Sequence, residues 1–353
     1  MAAGNRSAAL PLPATPSIMA PMNNSRGTFY LLAAVACAAL AAGIAHVLTP
    51  LVQRAALRCG AAHAPRARDI HSEPVPRWGG LAIYIAFLVA LAVSLSIVAV
   101  WFGRLVSWPT LVAGGGVFLG GTLLSLMGAW DDLREMSAGK QMVVQVLCAL
   151  LVIPFGVKIE FLTDPFHPGH MIYLGLWAAP LTVLWIVGVT NAINWIDGLD
   201  GLAAGVCAIA AMTLALMAVQ SGQPALALLA ASLCGSLLGF LRYNFNPAKI
   251  FMGGGALFVG FTLAAIAAAG AFKVAAAMAI MVPILVLGVP IFDTAFVIAR
   301  RCIQGKPIYQ ADKSHLHHRL LARGFTQRQT AVILYVVSFG LSVLATLLYL
   351  RGI

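Results

Sequence analysis

The sequence predicts an all-α protein of membrane-spanning helices, and three observations predict it. Of its 353 residues, 61% are hydrophobic and only 9% charged. The mean hydropathy is +0.93, which a soluble chain of this length cannot bury and a bilayer can. Apolar stretches recur along the whole chain at lengths near the roughly 20 residues that a spanning helix needs, with no soluble domain of useful size between them.

Residues 1–27, rich in Ala, Pro, Ser and Asn with Arg6 and Arg26 as their only charges, read as a disordered tail. A signal peptide would instead set its basic residues before a short apolar core and a small-residue cleavage site. An integral-membrane domain is expected over 28–353. Its ten predicted spans lie near 29–52, 79–101, 109–128, 141–157, 171–190, 201–220, 224–241, 255–272, 274–299 and 329–350. The six cysteines are scattered, mostly in apolar runs, with no CxxC or Cys/His pairing; neither a disulfide framework nor a zinc site is indicated.

The loops 53–78, 129–140, 191–200, 242–254 and 300–328 carry sixteen of the 22 Lys and Arg residues. That excess assigns them to the cytoplasm, so the net charge of +11 reflects topology and anionic small partners rather than nucleic acid. The acids share the asymmetry. Of eleven, only Glu160 and Asp164 fall on the opposite side. Positive-inside bias does not act on acids, so their clustering points to a polar site opening to the cytoplasm.

Four motifs fall on that face. In "WDDLREMSAGKQMVVQ", the adjacent carboxylates Asp131 and Asp132 repel each other at a membrane boundary. A divalent cation, or a cationic neighbour such as Lys140, would offset this. In "NAINWIDGLDGLAAG", Asn191, Asn194, Asp197 and Asp200 recur every three residues and form a turning polar stripe on a helix. Such oxygen-rich groups suit Mg²⁺, a diphosphate-bound metal, or hydrogen bonding to a nucleotide. In "LRYNFNPAKIFMGGGALFVG", Asn246 and Pro247 mark a helix start, where Lys249 and the free N–H groups suit phosphate. In "DKSHLHHRLLARG", His315, His317, His318 and Arg319 suit a phosphate-rich substrate, with imidazole also available for proton transfer. Asp293, a lone acid in "VPIFDTAFVIARR", is a candidate partner for one of these bases, and Arg77 in "HSEPVPRWGG" for substrate or a lipid headgroup. A solute transporter fits less well, because the acids cluster at one face rather than near the midplane.

From Pro76 to Gly324 the chain resembles the polyprenyl-phosphate N-acetylhexosamine-1-phosphate transferases. The likeness is carried by "PRWGG", "DDLREMSAGKQMVVQ", "NAINWIDGLDGLAAG", "NFNPAKIFMG" and "HLHHRLLARG" in family order. The "HLHHRL" form is closest to the N-acetylglucosamine branch. The resemblance implies a Mg²⁺-dependent enzyme, with Mn²⁺ as an alternative, in the bacterial inner membrane. Its partners would be a UDP-N-acetylhexosamine, undecaprenyl phosphate and the bilayer, and a homodimer is compatible with it. It implies catalytic roles for Asp131, Asp132 and His315, and metal ligation by Asp197, Asp200 and Asp131. Lys140, Asn191, Asn194, Asp200, Asn246, Lys249, His317, His318 and Arg319 would meet substrate.

One departure stands out. The family reads "FMGD" followed by small residues, the Asp being a metal ligand, whereas this chain reads "FMGGGALFVG", one residue shorter. Gly254 takes the Asp position, which raises a binding-only relative as the alternative to an active enzyme.

Overall fold

A computed structural model describes residues 24–63, 74–102, 108–163, 171–269, 281–307 and 314–351. Residues 1–23 of the expected tail lie outside the described residues; its last four already belong to the first helix. The described helices are α1 (Asn24–Cys59), α2 (Gly79–Phe102), α3 (Trp108–Asp131), α4 (Ala138–Val152), α5 (Ala178–Ile196), α6 (Leu202–Gln220), α7 (Pro224–Asn244), α8 (Gly255–Ala268), α9 (Met281–Val286), α10 (Gly288–Ile303), α11 (Leu316–Ala322) and α12 (Gln327–Arg351). Two short antiparallel ribbons join them: β1 (Ala62–His63) with β2 (Val75–Pro76), and β3 (Phe161–Thr163) with β4 (Met171–Tyr173). The architecture is all-α and polytopic.

Seven described helices are long and apolar enough to cross a membrane: α1, α2, α3, α5, α6, α7 and α12. The ten expected spans differ from this in four places. The stretch 171–177, read as the start of a span, is strand β4 followed by the single 3₁₀ turn Gly175–Trp177. The stretches near 141–157 and 255–272 hold the shorter helices α4 and α8, residues 270–272 lying outside the described residues. Of the run 274–299, residues 274–280 lie outside the described residues, and the rest divides between α9 and α10 at Leu287. Pro290 has no N–H for the carbonyl of Val286, so the helix cannot continue evenly through that point.

Helix α8 is the centre of the bundle. Every residue from Gly255 to Ala268 is buried, with α2, α3, α5, α6 and α7 packed around it. A helix enclosed on all sides needs no polar face, which is why its sequence is apolar all round. Lipid is as apolar as leucine, so helices in a membrane adhere by close packing between small residues. The α1–α7 contact shows it: a Cβ at Gly235 would lie 2.0 Å from the carbonyl oxygen of Ala38, and one at Gly239 2.3 Å from that of Ala42. On the outside, α1 shows Leu32, Val35 and Val47, and α12 shows Val336 and Phe339.

The four motifs meet at one end of this bundle. Backbone bonds tie the chain before α2 to the chain before α8: Phe251 N–H donates to Pro76, Gly79 N–H to Phe251, and Gly80 N–H to Met252. The Trp78 indole N–H donates to the carbonyl of Ala129 at 3.1 Å, joining the start of α2 to the end of α3.

Candidate active site

The three glycines that follow Met252 are where α8 enters the bundle. A Cβ at Gly254 would lie 2.3 Å from the Cα and carbonyl oxygen of Gly128 on α3, and one at Gly255 2.1 Å from the Cα of Gly80 on α2. Gly253 has φ +61, a left-handed conformation that glycine adopts freely. A Cβ there would sit 2.6 Å from both carboxylate oxygens of Asp132. The run therefore lets three helix ends touch backbone to backbone around one acid. The Gly254 N–H donates to that acid, 3.1 and 3.2 Å from its two oxygens, a favourable place for a negative charge at a helix N-terminus.

Burial pushes the Asp132 carboxyl up to about 7; the Gly254 N–H and the Arg77 charge pull against it, and Asp131 adds to it. Asp197, at the end of α5, is partly open to solvent yet set deep among protein groups. That burial raises it well above the carboxylate range, the charges of Asp132 and Asp200 raise it further, and Arg77 opposes them. Asp132, Asp197 and Arg77 thus form one electrostatic unit contributed by three separate loops. Among the described residues no group of three or more His, Cys, Asp or Glu side chains is arranged to hold a metal ion; Asp132 and Asp197 supply two carboxylates.

The neighbouring acids have other partners. Asp131 Oδ1 accepts the Met136 N–H at 2.7 Å and the Gln141 amide at 3.0 Å, closing the loop between α3 and α4. Asp200 Oδ2 accepts the Asn246 amide and the Ala248 N–H, both at 2.9 Å. Asn246 also donates to Gln327 Oε1 at 3.0 Å. Asn244 accepts from the Gly201 N–H and donates to the carbonyl of Ile250, and the Tyr335 hydroxyl donates to the carbonyl of Gly201 at 2.6 Å. The segment expected to bind phosphate is therefore a strap that fixes the Asp197–Gly201 turn. Lys249 itself is exposed.

Asn191, expected to meet substrate, is engaged within the protein. Its amide donates to Gln145 Oε1 at 2.6 Å and to the carbonyl of Val187 at 2.8 Å, clasping α4 to α5 within the bundle. Asn194, half-buried, lies on the last turn of α5 before Asp197, and Lys140 is exposed on the first turn of α4. Gln145, 3% exposed, was not singled out in the sequence; a glutamine inside an apolar helix was its signal.

The imidazoles close the site from α11. His317 is buried, and its Nε2 has no hydrogen-bond partner among the described residues. That atom is 3.1 Å from where a Cβ on Gly198 would stand, so the residue after Asp197 must be small for His317 to fit. Burial lowers its pKa to about 4, His318 and His315 acting the same way and Asp293 opposing. The His315 and His317 rings stack at 5.6 Å, those of His317 and His318 lie 4.3 Å apart, and Trp195 meets His315 edge-on. Arg319 is exposed, with its guanidinium 5.0 Å from the Phe296 ring centre.

Fold and site together define a membrane-embedded protein whose polar groups, two carboxylates, a guanidinium and an imidazole cluster, collect at one end of an apolar bundle. Residues 115–271 match the Glycosyl transferase family 4 model. A Bacillus subtilis (strain 168) protein, described as a probable undecaprenyl-phosphate N-acetylglucosaminyl 1-phosphate transferase, is 40% identical over 86% of this chain and 81% of its own. The decaprenyl-phosphate N-acetylglucosaminephosphotransferase of Mycobacterium leprae is 36% identical over 85% and 81%. The undecaprenyl-phosphate alpha-N-acetylglucosaminyl 1-phosphate transferase of Yersinia pestis is 24% identical over 84% and 79%. The chain belongs to glycosyl transferase family 4, the polyprenyl-phosphate N-acetylhexosamine-1-phosphate transferases.

Proposed function

We propose that the protein transfers N-acetylglucosamine 1-phosphate from UDP-N-acetylglucosamine to undecaprenyl phosphate, releasing UMP and starting a lipid-linked cell-envelope glycan. The observation that carries this reading is the convergence of Asp132, Asp197, Arg77 and the α11 imidazoles at one end of an apolar bundle. A water-soluble donor and a lipid-borne acceptor can both reach such a place. The names of the relatives support the sugar and the lipid. The Lys and Arg excess in the loops at that end supports a cytoplasmic orientation in the bacterial plasma membrane. These site residues come from one chain, so a homodimer would carry a complete site in each copy.

In the reaction an acceptor phosphate oxygen bonds to the β-phosphorus of the UDP-sugar. The bond from that phosphorus to the bridging oxygen breaks, and UMP leaves with the oxygen. Positioning and charge neutralisation supply most of the catalysis in such transfers. Mg²⁺, with Mn²⁺ as substitute, fits the residues present. Burial and mutual repulsion make Asp132 and Asp197 unfavourable as bare anions, and Mg²⁺ is commonly held by one or two carboxylates together with substrate phosphates. When bound, the ion would neutralise charge on the reacting phosphates. The Arg77 charge acts on both carboxylates and suits a phosphate held beside them. His317 packs beside Gly198 and His315 against Trp195, and with His318 and Arg319 of the same motif they suit the diphosphate and sugar, while Asp131 and Asp200 hold the loops that present the pair.

The test is UMP release by the purified protein with undecaprenyl phosphate, Mg²⁺ and UDP-N-acetylglucosamine. No UMP from any UDP-N-acetylhexosamine would overturn the transferase reading. UDP-sugar binding under the same conditions without UMP would instead establish the binding-only alternative raised by the missing acid.

A further inference from the structure

Asp293 is a buried acid on α10 that takes no part in the bond-making and bond-breaking of the transfer. Its side chain is 3% exposed, and both oxygens are engaged. Oδ2 lies 2.7 Å from Nδ1 of His315, and Oδ1 accepts the backbone N–H of Leu316 at 2.6 Å. One carboxylate therefore grips the imidazole of the first motif histidine and the first backbone group of the helix that carries the others.

We propose that Asp293 is a positioning residue for the transfer, fixing the tautomer and orientation of His315 and with it the placement of α11; this rests on the transferase reading above. A carboxylate accepts and does not donate, so Nδ1 of His315 carries a proton whether the ring is neutral or charged. The proton that can come and go is then the one on Nε2. That nitrogen is left to meet a substrate phosphate, accepting a proton from it or donating one to it. The ring is held edge-on to Trp195 and stacked on His317, so its plane is set by packing as well as by the acid. A carboxylate behind a working imidazole is a general device for orienting the ring and choosing its tautomer. The Leu316 bond extends it here, because α11 has only seven residues and little internal stability. Detaching its first turn would release His317, His318 and Arg319 together.

The experiment uses the full chain in lipid nanodiscs with ring-¹⁵N-labelled histidine, the His315 signal being identified by its loss in His315→Gln. In the unsubstituted protein His315 should appear with Nδ1 protonated. In Asp293→Asn the amide oxygen can still accept from Leu316, but the amide N–H faces Nδ1 and donates to it. The proton should then move to Nε2, and turnover in UMP release should fall by about 10- to 100-fold, the usual effect of losing such a partner. KM for UDP-N-acetylglucosamine should change much less than kcat. Asp293→Glu, which keeps a carboxylate, should retain the Nδ1–H form and recover much of the turnover. An Nε2–H tautomer in the unsubstituted protein would overturn the proposal, as would full turnover in Asp293→Asn with the tautomer switched. An Asn variant that fails to fold leaves the first and third measurements to decide. Absence of UMP from the unsubstituted protein would count against the transferase reading, while the tautomer result would stand apart from it.

Discussion

Placing any side chain at Gly254 should damage this protein, and the acid that the family pattern would put there should not rescue it. A Cβ at Gly254 would lie 2.3 Å from backbone atoms of Gly128, and the reciprocal Cβ at Gly128 2.3 Å from the carbonyl oxygen of Gly254. Ordinary contact begins near 3.4 Å, so α3 and α8 would have to part by about 1 Å. Both neighbours are backbone, and no rotamer change can relieve the overlap. Overpacking of this kind costs about 1–3 kcal/mol, and the equally close Gly80–Gly255 contact on the other side of α8 blocks an easy retreat. The same displacement would stretch the bond from the Gly254 N–H to Asp132 past 4 Å, where it ceases to be one. A hydrogen bond to a charged group is worth about 1.5–3 kcal/mol. Gly254→Ala should lower the thermal midpoint in detergent and reduce UMP release by at least about 10-fold, a 1.4 kcal/mol effect on the barrier. Gly254→Asp should do worse, because it adds a third carboxylate beside Asp132 and Asp197. A Gly254→Ala variant as stable and active as its parent, or a Gly254→Asp variant more active, would refute the close-packing account.

Three further outcomes follow from the same geometry. Gly198→Ala puts a Cβ 3.1 Å from His317 Nε2; a shift of a few tenths of an ångström should accommodate it, with UMP release reduced several-fold and the thermal midpoint little changed. Asn191→Ala should act oppositely, costing about 1–3 kcal/mol through the orphaned Gln145 amide while leaving KM for the nucleotide near its original value, since Asn191 clasps helices. His317 titrates at about 4 in the folded chain against 6.5 ordinarily. The unfolded chain therefore takes up a proton below pH 6.5 that the folded chain refuses, so stability is full above 6.5 and falls between 6.5 and about 4. The loss approaches about 3 kcal/mol, and thermal midpoints measured from pH 7 to 4.5 should drop less steeply in His317→Gln.

The apolar runs made the helical bundle legible, because runs of spanning length in such number need a bilayer to cover them. The motifs were legible as chemistry for a similar reason: Asp, Asn and His at one membrane boundary are expensive unless used. What the sequence did not disclose are relations between distant residues. Gln145 lies 46 positions from Asn191, and only their meeting turns a substrate amide into a helix clasp. The glycines after Met252 were legible only as a departure from the family's FMGD pattern; that they let α8 touch Gly128 and Gly80 is visible only in the structure. Residues 171–177 are apolar enough for a helix, yet strand pairing with Phe161–Thr163 claims the first three. The break at Leu287 was visible in Pro290, but the hydropathy of the run masks it.

Adjacent acids in this chain have unlike work, which explains why acids crowd one end of the bundle although phosphate chemistry would favour bases there. Asp131 and Asp132 are consecutive, yet one turns back to close its own loop and the other crosses to the start of α8. Asp197 and Asp200 divide in the same way: Asp200 is tied down by the Asn246 strap, and Asp197 is left facing Asp132 and Arg77. Asp293 does for the histidine helix what Asp131 and Asp200 do for the two carboxylate loops. Each loop that brings a reactive group to the site is thus held by an acid of its own that accepts backbone N–H groups. Such bonds suit the end of a membrane bundle, where loop N–H groups lack helical partners and a buried donor left unmet costs about 1–3 kcal/mol. The acids clustered at that end are therefore two kinds of carboxylate superposed: Asp131, Asp200 and Asp293, which hold loops by accepting N–H groups, and Asp132 and Asp197, whose burial and mutual repulsion leave charge to be balanced.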